Sequence, residues 1–373
     1  MKKILFLNSL YNPNIGGVEN SIKELSAIYI KMGYEVSLIC SDRNYVNDKD
    51  LANEETIDGL NIFRYKYPRS LFGFFIQFYN ILKLMLCKKN HYDLIISRGH
   101  ILTFLAALVY GRKVAYIVPA VIYYQNENSV KKILDCFIQY LSFIFSKKNY
   151  VFTKKVAQQV NKQLLGLKKS EVINVGVNIS RFYDKKIMRN SILEELKIPK
   201  DKKVVLCLGR FSEVKNFNMA LQAISFLDES FILLLVGEGP ELETYKKFIE
   251  KNNLHKRVLI YGATNKPENF YAISDIFLML SRYEAFGQVL LEATAARNKI
   301  VAFDCIESKT SVKEIFGHSS FVKYCKSYDS YELSLCIKEI YYKQVNVSDF
   351  DKIISNYSWC DMAEKLLNDN KDY

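Results

Sequence analysis

The sequence predicts an α/β chain folded as two doubly wound lobes, and three observations carry that expectation. Short β-branched or leucine-rich runs alternate with longer helical patterns from end to end, which is the mark of parallel sheets covered on both faces. A length of 373 residues exceeds one ordinary core. The strand series also stops in a polar stretch near the middle and then begins again.

In the first half the strand candidates are "KKILFLNS", "YEVSLICS", "LNIFRYKY", "YDLIISRG" and "KVAYIVPAV". In the second half they are "KKVVLCLGR", "FILLLVGEG", "RVLIYGA", "DIFLML" and "KIVAFD". Between them, roughly residues 175 to 200, Lys, Asn and Asp dominate, and an interdomain linker is expected there. The expected division is 1–178 for a first lobe, 179–355 for a second lobe, and 356–373 for a C-terminal helix packing back toward the first lobe. No short internal repeat is visible, which argues against a solenoid. Doubly wound lobes bind ligands at the carboxyl ends of their strands, so two of them are expected to face a shared cleft.

Hydrophobic residues make up 49% and charged residues 25%, the mixture of a globular protein rather than a disordered or membrane-embedded one. The net charge of +12 favours anionic partners such as phosphates, nucleic acids or acidic lipids. No zinc finger, RNP or basic-zipper pattern accompanies it, so nucleic acid is not expected. Eight cysteines are scattered singly without a CxxC pair, most of them in apolar runs; they read as reduced thiols of a cytoplasmic protein. The opening "MKKILFLNSLYNPN" has a basic tip, but Asn8 and Ser9 interrupt its apolar run, and it is expected to be a buried first strand rather than a signal peptide.

The segment "SLFGFFIQFYNILKLMLCKKN", residues 70 to 90, repeats polar or small residues every three or four positions and leaves a wide apolar face. It is too short to span a bilayer. Two readings stay open: a core helix, or a helix in the interface of an anionic membrane. The patch "ILDCFIQYLSFIF", flanked by Lys131, Lys132, Lys147 and Lys148, suits the second.

The stretch "RYEAFGQVLLEA" carries the densest chemistry. Glu284 falls in the loop leaving the strand "DIFLML", and Glu292 falls one turn inside the helix that follows. Around Gly287, Gln288 and Val289 the first helical turn has free backbone N–H groups and a partial positive charge, a seat for phosphate. A carboxylate on either side can accept hydrogen bonds from hydroxyl groups. That order suits a sugar, a diphosphate and a ribose in a row. In "LGRFSEVKN", Arg210 and Lys215 follow another strand and supply cations for the same phosphates without a metal. An Asp48/Asp50 pair lies in a polar loop with no strand to deliver it, so no essential metal is expected.

At this point the sequence resembles the GT4 family of retaining, nucleotide-sugar-dependent glycosyltransferases with the GT-B fold. The resemblance covers essentially the whole chain and is strongest in "GRFSEVKN", "LLLVGEGPE", "IYGATNK" and "YEAFGQVLLEATA", in the family's order. It implies two Rossmann-like lobes and a hexosyl- or N-acetylhexosaminyltransferase. Arg210, Lys215 and Glu284 would be the catalytic residues: the two cations hold the donor diphosphate and Glu284 meets the transferred sugar. Glu292 would hold the ribose. Backbone groups of Gly262, Ala263 and Thr264 would meet the base, with Gly237, Phe286, Gly287, Gln288 and Val289 lining the donor. The Gly16–Gly17 loop of "YNPNIGGVENSIKELS" would lie over the diphosphate. The implied donor is a nucleoside diphosphate sugar, with a UDP-sugar expected first and no cofactor.

Retention follows from the family, and an internal-return route needs no protein nucleophile, although Glu284 stays open as one. The expected acceptor is a lipid-linked or other saccharide for a bacterial surface polymer, handled at the inner face of the cell membrane. Departures affect the acceptor side. Pro119 stands where many relatives carry a histidine, and Arg98 stands near an earlier family histidine, with His100 close by; Arg98 and His100 are the acceptor candidates. A catalytically silent subunit that binds nucleotide sugar and activates a partner glycosyltransferase is the alternative function, and an epimerase of the same fold is a third.

Overall fold

The computed structural model describes residues 2–14, 16–44, 51–68, 73–111, 113–124, 130–182, 185–305 and 307–370. The chain divides into two compact units, residues 1–176 with 358–373, and residues 177–357.

The first unit runs β1 (Lys3–Leu7), α1 (Gly17–Lys31), β2 (Glu35–Ser41), β3 (Glu54–Ile57), β4 (Leu60–Tyr65), α2 (Gly73–Cys87), β5 (Leu94–Ser97), α3 (His100–Tyr110), β6 (Val114–Ile117), α4 (Val130–Phe145), β7 (Lys148–Val151), α5 (Lys154–Leu164) and β8 (Glu171–Val172). Its sheet has the order β3-β4-β2-β1-β5-β6-β7-β8. The β3–β4 pair is antiparallel, because Asp58 and Gly59, both at positive φ, form the two-residue turn that a tight hairpin requires. The other pairs are parallel. β1 is a buried interior strand, as its uninterrupted Ile4 to Leu7 run dictates.

The second unit runs α6 (Lys185–Glu195), β9 (Lys203–Leu208), α7 (Phe217–Ala223), β10 (Phe231–Val236), α8 (Leu242–Lys251), β11 (Val258–Tyr261), α9 (Pro267–Ile273), β12 (Ile276–Met279), β13 (Tyr283–Glu284), α10 (Gln288–Ala295), β14 (Lys299–Phe303), β15 (Lys309–Thr310), α11 (Val312–Phe316), β16 (Val322–Cys325), α12 (Ser330–Tyr342) and α13 (Val347–Ile354). Its main sheet is parallel, in the order β11-β10-β9-β12-β14-β16. Val205, Cys207, Leu233, Leu235 and Leu278 on one face of that sheet pack with Phe211, Leu221 and Tyr245 into one buried cluster.

Each sheet starts in its middle, builds outward to one side and then reverses. In the first unit the reversal falls between β1 and β5, and in the second between β9 and β12. Loops leaving two such neighbouring strands diverge and leave a crevice for a ligand.

Two expectations need correction. Residues 175 to 200 are not a linker: Ile179–Phe182 form a short 3-10 helix, α6 packs on α9, and Arg189 pairs with Asp275 at 3.3 Å. Among the described residues, Asn190, Ser191, Glu194 and Glu195 of α6 face water. The division falls after Gly176 rather than after residue 178, and the last segment changes units at Ser358.

That segment carries α14 (Trp359–Asn370), which lies on the first unit. The buried Tyr29 hydroxyl donates to the Ala363 carbonyl at 3.1 Å, and Asn370 donates to the Tyr150 hydroxyl at 3.0 Å. A Cβ placed on Gly176 would fall onto the ring and backbone of Trp359. Gly176→Ala should therefore push α14 outward and lower stability by about 1–3 kcal/mol, as overpacking does. Urea denaturation checks this, and an unchanged midpoint would contradict the packing.

Candidate functional site

Of the candidate donor residues of the second unit, those after β9 and β12 lie at its reversal point, while Gly237 follows β10 and Gly262 to Thr264 follow β11. Arg210 and Lys215 follow β9, and Glu284 through Val289 follow β12, the neighbouring strand. The two loops are tied together: the Arg282 backbone N–H donates to the Val214 carbonyl at 2.9 Å. β13 and β15 pair Tyr283 with Lys309 and Glu284 with Thr310, and the Ser311 hydroxyl donates to the Ala285 carbonyl at 2.9 Å. These bonds set the height of Glu284.

Lys215 closes a 3-10 turn, Glu213–Lys215, and its ammonium donates to the Glu284 carboxylate in an ion pair, with both side chains roughly four-fifths buried. Arg210 is exposed and has no ion pair among the described residues. The two cations therefore differ: one is neutralised in place and one is free to meet an anion.

Gly287 opens α10 in the left-handed region, φ 81 and ψ 79. A Cβ there would press against Glu284 and Met279 at 3.0 Å. Glycine is required by backbone and space together. Gly287 has no side chain with which to cap this helix start, and a helix N-terminus is a favourable place for an anion. Phe286 is buried just before it and packs its ring 6.0 Å from Tyr357.

Glu292, one turn into α10, is buried, and burial pushes its carboxyl up to about 7. A hydrogen bond from the Tyr271 hydroxyl, 3.0 Å from Oε2, and the charge of Arg181 oppose that rise, while Glu268 adds to it. Arg181 is shared, because it pairs with Glu268 at 2.6 Å. The partner that a buried carboxylate in an apolar run demands is thus a phenol. Nothing in "NFYAISD" singles out Tyr271, since an aromatic on a short buried helix reads as core.

Gly237 and Gly239 have a different reason to be glycine. A Cβ on Gly237 would land on the Gly209 carbonyl, and one on Gly239 on the Phe211 carbonyl. The loops after β9 and β10 cross there backbone to backbone, with the Phe211 N–H donating to the Glu238 carbonyl at 2.7 Å. Gly262 and Ala263 follow β11 at the surface and Thr264 is half-buried. The Ala263 N–H donates to Glu238 Oε1 at 3.3 Å, so Glu238, quoted in its motif without a role, holds the segment expected to meet the base.

In the first unit, Gly16 and Gly17 begin α1 after β1, and Arg98 and His100 follow β5, again the neighbouring strand. Arg98, expected at an acceptor, is instead buried: its Nη1 donates to the Ser21 hydroxyl of α1 at 2.7 Å and its guanidinium lies over Phe152. Burial holds it down at about 10, with Glu19 pulling the other way. Arg98 thus braces α1. His100 pairs its Nε2 with Asp135 at 3.2 Å and remains part-exposed. Asp48 and Asp50 lie outside the described residues, and among those described no group of three or more His, Cys, Asp or Glu side chains is placed to hold a metal ion.

Two family models match the chain in tandem, Glycosyltransferase Family 4 over residues 15–181 and Glycosyl transferases group 1 over residues 188–335. Among curated proteins, the N-acetylgalactosamine-N,N'-diacetylbacillosaminyl-diphospho-undecaprenol 4-alpha-N-acetylgalactosaminyltransferase of Campylobacter jejuni is 25% identical over 225 residues, 58% of this chain and 58% of that protein. The N-acetyl-alpha-D-glucosaminyl L-malate synthase of Bacillus anthracis is 30% identical over 153 residues, 40% of this chain and 39% of that protein. The match thus spans less than two thirds of the length of each. Of solved structures, sucrose-phosphate synthase from Thermosynechococcus elongatus superposes with a TM-score of 0.81 at 15% identity, covering 98% of this chain and 97% of that one. Anabaena HepE in complex with UDP and glucose superposes with a TM-score of 0.78 at 16% identity over 100% of both chains. At these identities the likeness is one of fold.

The buried Glu292 has a consequence for stability. Its folded carboxyl titrates at about 7 against an ordinary 4.5, so the folded chain keeps a proton that the unfolded chain gives up. Its contribution is therefore fully present below pH 4.5 and lost as the pH rises through 7. Glu292→Gln should be the more stable form at pH 8 by up to about 3 kcal/mol and should lose that advantage toward pH 4. Chemical denaturation at the two pH values measures it; equal differences at both would contradict the buried, proton-holding carboxyl.

Proposed function

Since the chain belongs to the GT4-type glycosyltransferases with the GT-B fold, we propose that it moves a sugar from a nucleoside diphosphate donor to a hydroxyl acceptor with retention at the anomeric carbon. The observation that carries this reading is the Lys215–Glu284 ion pair beside the glycine-led first turn of α10, with Glu292 one turn further in. Lys215 neutralises Glu284. An arriving diphosphate offers Lys215 a stronger anion, with Arg210 and the α10 N–H groups on its other oxygens. Glu284 is then released to accept hydrogen bonds from the hydroxyls of the sugar, and Glu292 accepts those of the ribose.

Reaction breaks the bond between the anomeric carbon and the diphosphate. Negative charge develops on the leaving oxygen, where Arg210, Lys215 and the helix start are already in place. The acceptor oxygen bonds to the same carbon on the same face and passes its proton to the departing phosphate. Every group required is a side chain or backbone amide of this chain, and no metal is needed to balance the charge.

UDP-sugars are the first donors to try, because Anabaena HepE is a fold neighbour solved with UDP and glucose. A lipid-linked acceptor draws support from the Campylobacter jejuni relative, named for a diphospho-undecaprenol substrate. It also draws on the surface of the first unit. Among the described helices none is long and apolar enough to cross a membrane. Yet α2 exposes Phe75, Ile76, Tyr79 and Leu86, and α4 exposes Ile133, Leu134 and Phe137, with α3 packed against both. Such residues on a chain of net charge +12 suit the anionic inner face of a cell membrane, where a cytoplasmic enzyme would meet its acceptor.

Thermal stabilisation by UDP-, GDP- and ADP-sugars, without metal, tests the donor site. One donor should raise the melting temperature of the wild type, and Arg210→Ala with Lys215→Ala should weaken its binding at least about a hundredfold through the loss of two charge-assisted contacts. Undiminished stabilisation of the double variant would remove the phosphate seat from this place. A donor that binds without any transfer to saccharide acceptors would favour the silent-subunit reading. For the membrane, Phe75→Ser with Tyr79→Ser and Phe137→Ser should abolish co-sedimentation with anionic vesicles. Unchanged co-sedimentation would contradict it.

A further inference from the structure

We propose that Tyr271 is a positioning residue that couples occupancy of the site to a proton: it orders Glu292 to receive the ribose only in the ionised form, so that the donor binds with release of one proton. The inference rests on the reading of Glu292 as the ribose-holding carboxylate.

The Tyr271 phenol is fixed from every side. It is fully buried, its ring lies 5.9 Å from that of Phe182 and 5.8 Å from that of Phe277, and its carbonyl accepts from the buried Asn298 side chain at 3.0 Å. Its hydroxyl has one hydrogen and two acceptors in reach, Glu292 Oε2 at 3.0 Å and the Val289 carbonyl, in the first turn of α10, at 3.3 Å. The two compete for that hydrogen.

When Glu292 is ionised the hydrogen goes to the carboxylate, the closer acceptor and the charged one. Oε1 and the remaining lone pair of Oε2 are then acceptors only, which is what a pair of neighbouring ribose hydroxyls needs. When Glu292 is protonated, its own O–H is a donor. It can give its hydrogen to the Tyr271 oxygen while the phenol turns its hydrogen to Val289. The carboxyl then has less acceptor capacity to offer a ribose. No atom has to move far, so the two arrangements are states of one packed site.

The surrounding charges leave the balance close. Arg181, on the 3-10 helix before α6, is the nearby cation, and its guanidinium already pairs with Glu268 of α9. From α13, packed on α10, Asp351 pairs with Arg297 beyond the end of α10 at 3.0 Å. From β14, the Lys299 ammonium bonds to the Lys343 carbonyl at 2.8 Å. Neither side supplies a spare positive charge to Glu292, and burial sets its titration at about 7.

Calorimetry with UDP-glucose, GDP-mannose and ADP-glucose between pH 6 and 8, in buffers of different ionisation enthalpy, tests this. The diphosphate of a nucleotide sugar does not titrate in that range, so a proton released comes from the protein. The wild type should bind its donor about tenfold more weakly at pH 6 than at pH 8 and release close to one proton per donor at pH 6. Glu292→Gln should bind weakly and independently of pH. Tyr271→Phe takes a hydrogen bond from the charged form and should move the midpoint up by about one pH unit, so that raising the pH restores its affinity. Affinity that stays flat from pH 6 to 8 in the wild type would overturn the proton coupling while leaving the donor site in place. Weakening of Tyr271→Phe by the same factor at every pH would reduce Tyr271 to a packing role and overturn its part. Failure of the wild type to bind any of the three would overturn the donor-site reading and this inference with it.

Discussion

Parallel strands must be joined by crossovers, and a sheet that begins in its middle has to reverse its crossovers once. At the reversal, two neighbouring strands send their loops away from each other, and the residues just past their ends face the space left open. This constraint decides where chemistry can sit in both units. In the second it brings Arg210 and Lys215, which follow β9, beside Glu284 and Gly287, which follow β12. In the first it brings the glycine pair after β1 beside Arg98 and His100 after β5. Residues about 70 positions apart in the chain become neighbours because Val205 pairs in register with Ile276.

On that scaffold the two glutamates of one twelve-residue stretch are given opposite environments. Glu284 stands on a short two-stranded ribbon at the loop and is neutralised by Lys215. Glu292 is inside the helix and inside the unit, with a phenol as its direct partner and a cation already shared with Glu268. Its charge is costly, and a hydroxyl-rich ligand that needs an acceptor repays part of that cost. One carboxylate is thus matched to a cation in an ion pair, and the other is poised between two protonation states by burial.

Much of this was legible in the sequence, for physical reasons that differ from element to element. Runs such as Lys203–Leu208 and Phe231–Val236 declare themselves because a strand covered on both faces has to be apolar throughout. β3, with the sequence "EETI", alternates at a sheet edge, and β8, β13 and β15 are two residues long, so neither pattern nor length announces them. The stretch near residues 175 to 200 imitates a linker because α6 shows water its polar face. In the site, Glu284, Gly287 and Glu292 stand out through spacing around a strand-to-helix turn. Tyr271 does not, because a buried aromatic with a polar task has the same sequence signature as one without. Arg98 misleads in the opposite way: a cation in a loop reads as a ligand until the packing of α1 over it is seen. Gly237 misleads too, since the backbone of Gly209, rather than a ligand, demands the absent side chain.

The central claim is that a nucleoside diphosphate lies at the start of α10, with its phosphates between Arg210 and Lys215 and its ribose on Glu292. A crystal structure with the nucleotide sugar that stabilises the chain most tests it directly. The account predicts diphosphate oxygens on the Gln288 and Val289 N–H groups, both ribose hydroxyls on the Glu292 carboxylate, and the Lys215–Glu284 pair opened. A nucleotide bound elsewhere, or bound there with Lys215 still on Glu284 and the ribose away from Glu292, would contradict it.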